Sequence, residues 1–381
     1  MSNQPRFKTN TTDSFFGDFL YEQLIPKDHF LKVAKDSINW SKFTDRLLVW
    51  YQGSGMIGRP AYDPSVMLRM LFLAYLYNLS ERQVEEKVNF DLTFKYFVDL
   101  GLDEKAPDHS SLTRFKDRLI AGAGKSAFDQ LLREILNQAK TKGIEFGSIQ
   151  IVDSVHTIAN VNTDKDKARQ NHGDSPRDPD ARWGCKGEKE KQDPETGQIV
   201  KIKDYFHGFK AHASYNEQAR LVTSVSTTAG NRPDGKELPK LLNKDNFTPI
   251  SKKVRIYTAD KAYDDGENHL LLNQKGYGDA IRLTKTRTEK KNPNKEPWLK
   301  LRETKEYIKG LRVRPKIESK FGEGKTNHSL RRCRYLGEKK YHLQACLTAI
   351  VLNLKVVVAS ITGSTQKGYG FIPNTVRLTP T

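Results

Sequence analysis

The sequence is poor in cysteine. Three occur in 381 residues, Cys185, Cys333 and Cys346, and no two form a CxxC pair. That argues against a disulfide framework or a zinc site and fits a reducing, cytoplasmic setting. No uninterrupted apolar run reaches 18 residues, so no membrane-spanning helix is predicted and no membrane partner is expected. The opening residues, Met1 to Pro5, lack the basic-then-apolar layout of a secretory signal. There is no internal repeat. Acidic residues are outnumbered, 46 against 64 Lys and Arg, giving a formal net charge of +18 and a pI near 9.5. Such an excess speaks of polyanionic partners more than of fold, with nucleic acid foremost. The hydrophobic share, 36%, is low but sufficient for a core, and the length gives room for two domains.

Against that polar background, residues 148–158 stand out as an apolar, β-branched strand with Asp153 in its middle. A carboxylate buried in a strand is costly unless it is paired or holds a metal. A second acid, Asp260, ends another predicted strand, 254–258. A third, Glu318, lies on a predicted helix beginning near Arg314. Three acids on separate elements supply the hard oxygen ligands that Mg²⁺ or Mn²⁺ prefers. Two such ions roughly 3.5–4 Å apart suit in-line displacement at phosphorus.

At about 100° per residue, Glu318 lies about 40° round a helix from Arg314, and Lys325 about 20°. An acid flanked by two bases on one stripe would bring a DNA backbone to the metal. Glu323 competes with Glu318 for the third acidic role, though the spacing to Arg314 and Lys325 favours Glu318. His156, further along the Asp153 strand, is a weaker ligand candidate. Trp183 and Trp298, in basic stretches, are candidates for stacking on bases.

The rest of the chain divides around this centre. Residues 1–143 read as an all-α domain for DNA binding and dimerisation. Asp63 and Pro64 open an apolar helix as N-cap and first-turn proline. Ser80 and Gln83 form a capping box for the next helix. The helix from Asp108 has basic flanks, so this region resembles a helix-turn-helix reader. Residues 144–361 read as one α/β domain. It has a mixed five-stranded sheet with helices on both faces, a long loop at 160–203 and an irregular basic stretch at 284–313. Residues 362–381 read as a flexible tail.

With these residues in place, the sequence resembles a DDE-type transposase of a bacterial insertion sequence. Asp153 in Ile-Val-Asp-Ser matches the family's first acid. Asp260 in Ala-Asp-Lys-Ala-Tyr matches the second. Arg314, Glu318 and Lys325 match a signature of Arg and Glu four apart, then Glu and Lys seven apart. Gly58-Arg-Pro, Arg177-Asp-Pro-Asp-Ala-Arg-Trp183 and Gly208-Phe-Lys-Ala-His212 are also similar to stretches of such enzymes. The resemblance implies a ribonuclease-H-like catalytic core. It implies Asp153, Asp260 and Glu318 as catalytic metal ligands for two Mg²⁺ or Mn²⁺ ions. It also implies cutting at the element's terminal inverted repeats, joining of the 3′ ends to target DNA, and a dimer or larger assembly on DNA. Arg314, Lys325, Lys320, Arg59 and Arg114 are the expected DNA contacts.

The family's fullest signature places a Tyr three residues before the Arg. This chain has Leu311 there, and Tyr307, one turn earlier, is the available substitute. Other readings are an inactive relative that only binds DNA, a stand-alone ribonuclease-H-like nuclease, and a helix-turn-helix regulator. Retention of all three acids argues against the first and last. The helical N-terminal region argues against the second.

Overall fold

The computed structural model describes residues 7, 15–48, 61–192, 198–250 and 254–362. Its contacts divide it into two units, Met1–Ile144 with Ile350–Thr381, and Glu145–Ala349. The expected tail at 362–381 falls, beyond Thr362, outside the described residues, as do Arg59 and the Gly58-Arg-Pro turn.

The first unit is built from helices α1 (Phe15–Leu24), α2 (Phe30–Ser37), α3 (Ser41–Leu48), α4 (Pro64–Leu76), α5 (Glu81–Phe90), α6 (Leu92–Val98), α7 (His109–Ala123) and α8 (Ser126–Thr141). α4 is apolar all round and buried along its whole length, as a central core helix must be. Asp63 caps it by accepting from Ser65 N at 2.7 Å, and Pro64 occupies its first turn. The Ser80–Gln83 capping box closes in both directions at the start of α5. Trp40, Phe43, Phe72 and Phe97 pack around α4 with ring centroids 5.3–6.1 Å apart.

The second unit is organised on one mixed sheet: β1 (Ile149–Ile158), β2 (Arg182–Gln192), β3 (Ile199–Asn216), β4 (Leu221–Ala229), β5 (Ile256–Ala259) and β6 (Gly278–Ile281). β1 pairs antiparallel with β3, and β3 with β4. On its other side β1 pairs parallel with β5, and β5 with β6. The five expected strands are therefore present in the ribonuclease-H-like arrangement that the resemblance implies. α10 (Leu238–Asp245) packs on β3 and β4, and α11 (Gly266–Gln274) on β6. α14 (Lys305–Val313) packs on β1, β5 and β6, and α15 (Lys316–Asn327) on β1.

Two stretches differ from the sequence reading. Residues 160–203 are not one loop. They hold α9 (Thr163–Asn171), all of β2 and the first residues of β3. β2 is a sixth strand, and it pairs with Ile199–Gly208 as an exposed two-stranded ribbon. Its Lys/Glu alternation has no apolar period, so no hydrophobic pattern announced it. Residues 284–313 are helical: α12 (Lys285–Thr288), α13 (Glu296–Glu303) and α14. Pro297 reads as a breaker, but it sits in the first turn of α13, where a missing N–H costs nothing.

At Gly208, β3 passes from the ribbon into the main sheet, and three glycines close the junction. A Cβ on Gly208 would stand 2.1 Å from Thr157 O, one on Gly184 2.3 Å from Gly230 O, and one on Gly230 2.6 Å from Arg182 O. Only glycine lets these backbones approach so closely.

The last helix, α16 (Glu338–Thr362), is longer than expected and by length and composition is apolar enough to cross a membrane. Polar residues such as Gln344 and Asn353 hid this from a search for unbroken apolar runs. With 72% of its most apolar window buried inside the protein, it is a core helix. Its first turn is held by the Arg177–Trp183 stretch: Gly337 N donates to Asp178 at 3.1 Å and Glu338 N to Asp180 at 3.0 Å. Ile350 onward belongs to the first unit, whereas the sequence reading placed residues up to 361 with the sheet.

Candidate active site

The register of the sheet places the first two acids. Val152 of β1 aligns with Ala259 of β5, the last pair of that parallel ladder. Asp153 and Asp260 each follow by one residue, on strands about 4.8 Å apart. Glu318 arrives from the first turn of α15. Arg314 lies at the break between α14 and α15, where Pro315 ends one helix and starts the next. Its backbone stays right-handed helical, so the four-residue spacing to Glu318 still brings the two side chains together. Arg314 Nη2 donates to Glu318 Oε1 at 2.6 Å and Nη1 to Asp153 Oδ2 at 3.4 Å. One guanidinium thus bridges two of the three acids.

Asp153 feels the other two acids. Burial pushes the Asp153 carboxyl up to about 7. The Asp260 and Glu318 charges add to that rise, against the Ser154 N–H and Arg314. Asp153 Oδ1 accepts from Ser154 N at 2.8 Å. Asp260 Oδ1 accepts from Ala262 N at 2.8 Å, capping the single 3₁₀ turn Lys261–Tyr263. Tyr263 is fully buried, its hydroxyl 3.3 Å from His212 Nδ1. Burial, then the charges of Asp234, Asp153 and Asp260, drives its pKa far up, so it stays a neutral phenol. His212, pushed down to about 4 by burial, is likewise neutral.

The donor set fits a hard divalent cation. It is three carboxylates, with no thiolate or imidazole among them, and a cationic group already stands between two of them.

The other candidates fall on varied ground. Lys325 is half-buried in the last turn of α15, and burial, then Lys186 and Arg331, lower its pKa. Lys320 turns away from solvent against Glu323, 3.2 Å away, so it is not presented for a phosphate. Glu323 is occupied in the same pair and does not join the acids. Arg114 is exposed on α7. His156 packs its ring 5.0 Å from Phe206, and burial, then Lys325 and Lys186, push its pKa down to about 4. That is a packed neutral ring rather than a ligand. Tyr307 is buried, and its hydroxyl accepts from Leu283 N at 3.2 Å, so it does not replace the missing signature tyrosine. Trp298 is held between Arg287, 4.2 Å from its ring, and His269, 4.9 Å away, rather than open to a base. Trp183 is half-exposed beside His207.

Comparison with known families settles the kinship. Residues 148–354, more than half of the chain, match the Transposase DDE domain, and residues 19–118 match the Transposase domain (DUF772). The chain belongs to the DDE transposase family. It is a DNA-cleaving transposase whose all-helical N-terminal region precedes the DDE core. Among solved structures, it is similar to a piggyBac transposase seen by cryo-EM in a synaptic complex with hairpin DNA. The identity is 10% over 95% of this chain and 79% of that one, with a TM-score of 0.38, a likeness too loose to bear on the fold. In this transposase, Asp153, Asp260 and Glu318 all fall within the matched DDE region.

Proposed function

We propose that this transposase binds the terminal inverted repeats of its own insertion sequence, cleaves there, and joins the freed 3′ ends to target DNA. Asp153, Asp260 and Glu318 would hold two Mg²⁺ or Mn²⁺ ions. When bound, two such ions activate the attacking oxygen and hold charge on the leaving oxygen. The protein's own part is placement. In this reading β1 and β5 would present Asp153 and Asp260 from neighbouring strands, and α15 would bring Glu318 to them. Asp260 keeps one oxygen on Ala262 N, and its other oxygen would serve a metal. Arg314 compensates Asp153 and Glu318, and its planar fork of N–H donors also suits a backbone phosphate. No side-chain nucleophile is needed.

The observation that carries this reading is the Arg314 bridge between Asp153 and Glu318, beside an Asp260 that follows the neighbouring strand. The N-terminal helices, with Arg114 exposed on α7, are the proposed reader of the repeats, and synapsis of two ends calls for a dimer or larger assembly. The test is incubation of the protein with Mg²⁺ and DNA carrying the repeats that flank its reading frame. Wild type should cut at the repeat ends and Asp153→Ala should not. Equal cutting by the two would reject the assignment.

A further inference from the structure

The end of β1 carries a second group of charged residues that the acids do not explain. Three segments of the sheet unit meet there. β1 ends at Ile158, whose N–H donates to Arg331 O at 3.1 Å and whose carbonyl accepts from Cys333 N at 2.7 Å. The turn after α15 folds back, with Leu330 N donating to Gly324 O at 3.0 Å, so Arg331 is tied beside the helical turn that bears Lys325. On the other side, Gly208 pairs with both Ile158 and Arg182, bringing in the root of the ribbon. The ribbon's one register shift lies between Cys185 and Gly187, so Lys186 stands on a β-bulge, a device that re-aims a side chain.

We infer that Lys186, Lys325 and Arg331 form a binding site for a backbone phosphate of the DNA strand that enters the active site. This inference rests on the transposase reading for its ligand and extends it from Lys325, already an expected DNA contact, to Lys186 and Arg331.

Three arguments support it. First, the group is under-compensated. Asp204 lies 3.8 Å from Lys186, and among the described residues neither Lys325 nor Arg331 makes an ion pair. Second, the cations act on one another: burial disfavours the Lys325 ammonium, and the nearby charges of Lys186 and Arg331 disfavour it further. Like charges held together at a cost in the free protein are relieved by an anion. Third, the spacing suits a DNA strand. Lys325 follows Glu318 by seven residues of α15, about 10 Å along the helix axis. That is about three nucleotides of one B-form strand. A strand with its scissile phosphate at the acids would present another phosphate to this site.

The experiment uses the full chain and a fluorescent DNA duplex carrying the flanking repeats, with binding followed by anisotropy across a salt series. Each phosphate contact contributes about 0.9 to the slope of log affinity against log salt. Lys186→Gln and Arg331→Gln should each lower the slope by about that amount. A fourfold rise in salt would then cost each variant about 3.5-fold less affinity than it costs wild type. Without DNA, both variants should melt no lower than wild type, since neutralisation removes repulsion. A purely structural role would lower the melting point instead.

Unchanged slopes in stable variants would overturn the inference. So would an equal fall in slope for Arg232→Gln, an arginine outside the group, because the effect would then be general charge. A cleavage assay on the same repeat DNA separates the two readings. If wild type fails to cut while the slopes still drop, the phosphate site stands and the proposed cleavage falls. If wild type cuts with unchanged slopes, the reverse holds.

Discussion

Asp260 and Ala262 are joined by a 2.8 Å hydrogen bond from the Ala262 N–H to the Asp260 carboxylate, so the acid that starts a 3₁₀ turn is also the one proposed as a metal ligand. The two roles are separable. Asn caps about as well as Asp, whereas Ala loses about 1 kcal/mol at such a position. Asp260→Asn should therefore melt close to wild type and Asp260→Ala several degrees lower, while both lose cleavage. Thermal melts alongside a cleavage assay check this.

Asp153 is a buried acid in company with two others, an arrangement that costs free energy when no metal is bound. In chelator, Asp153→Asn should melt at or above the wild-type temperature. Adding Mg²⁺ or Mn²⁺ should raise the melting point of wild type and leave that of the variant nearly unmoved. A metal-induced shift of equal size in both would remove Asp153 from the ligand set.

His269 lies between two carboxylates. Nδ1 contacts Asp279, and Nε2 is 2.9 Å from Asp264. Burial opposes its charge, but the hydrogen bonds and charges of Asp279 and Asp264 outweigh it and raise the pKa above 6.5. A raised folded pKa gives stability that is whole below about 6.5 and is lost as pH climbs through the folded value. The advantage of wild type over His269→Gln should therefore be largest near pH 6 and shrink by pH 9. Denaturant melts at those two pH values measure it, and an advantage that grows with pH would contradict the pairing.

Tyr307→Phe strands the Leu283 N–H, which the tyrosine hydroxyl now satisfies. The expected loss is about 1–3 kcal/mol of stability. Cleavage, normalised to folded protein, should be unchanged. A selective fall in strand chemistry with no loss of stability would instead give Tyr307 a part in handling the DNA end.

Much of this was legible in the sequence because the decisive signals are local. A lone Asp153 among Ile151, Val152 and Val155 marks a site within a strand. Asp63-Pro64 and Ser80 with Gln83 mark helix starts by cap chemistry alone. What escaped was set by partners. The β2 sequence has no apolar period, so only its pairing with β3 makes it a strand. Lys320 was expected to contact DNA, but α15 turns it toward Glu323. Arg314 was read as a phosphate contact, and its bridge to Asp153 depends on a contact across 161 positions of sequence.

The three-glycine junction at Gly208 has a consequence for how this enzyme can vary. β3 serves two ladders that meet at a single residue. Matched residues added to or trimmed from the far end of the hairpin would leave the alignment of Val152 with Ala259 untouched. The catalytic scaffold can therefore carry an arm of different reach without retuning its chemistry, while a methyl group at Gly208 would disturb both at once.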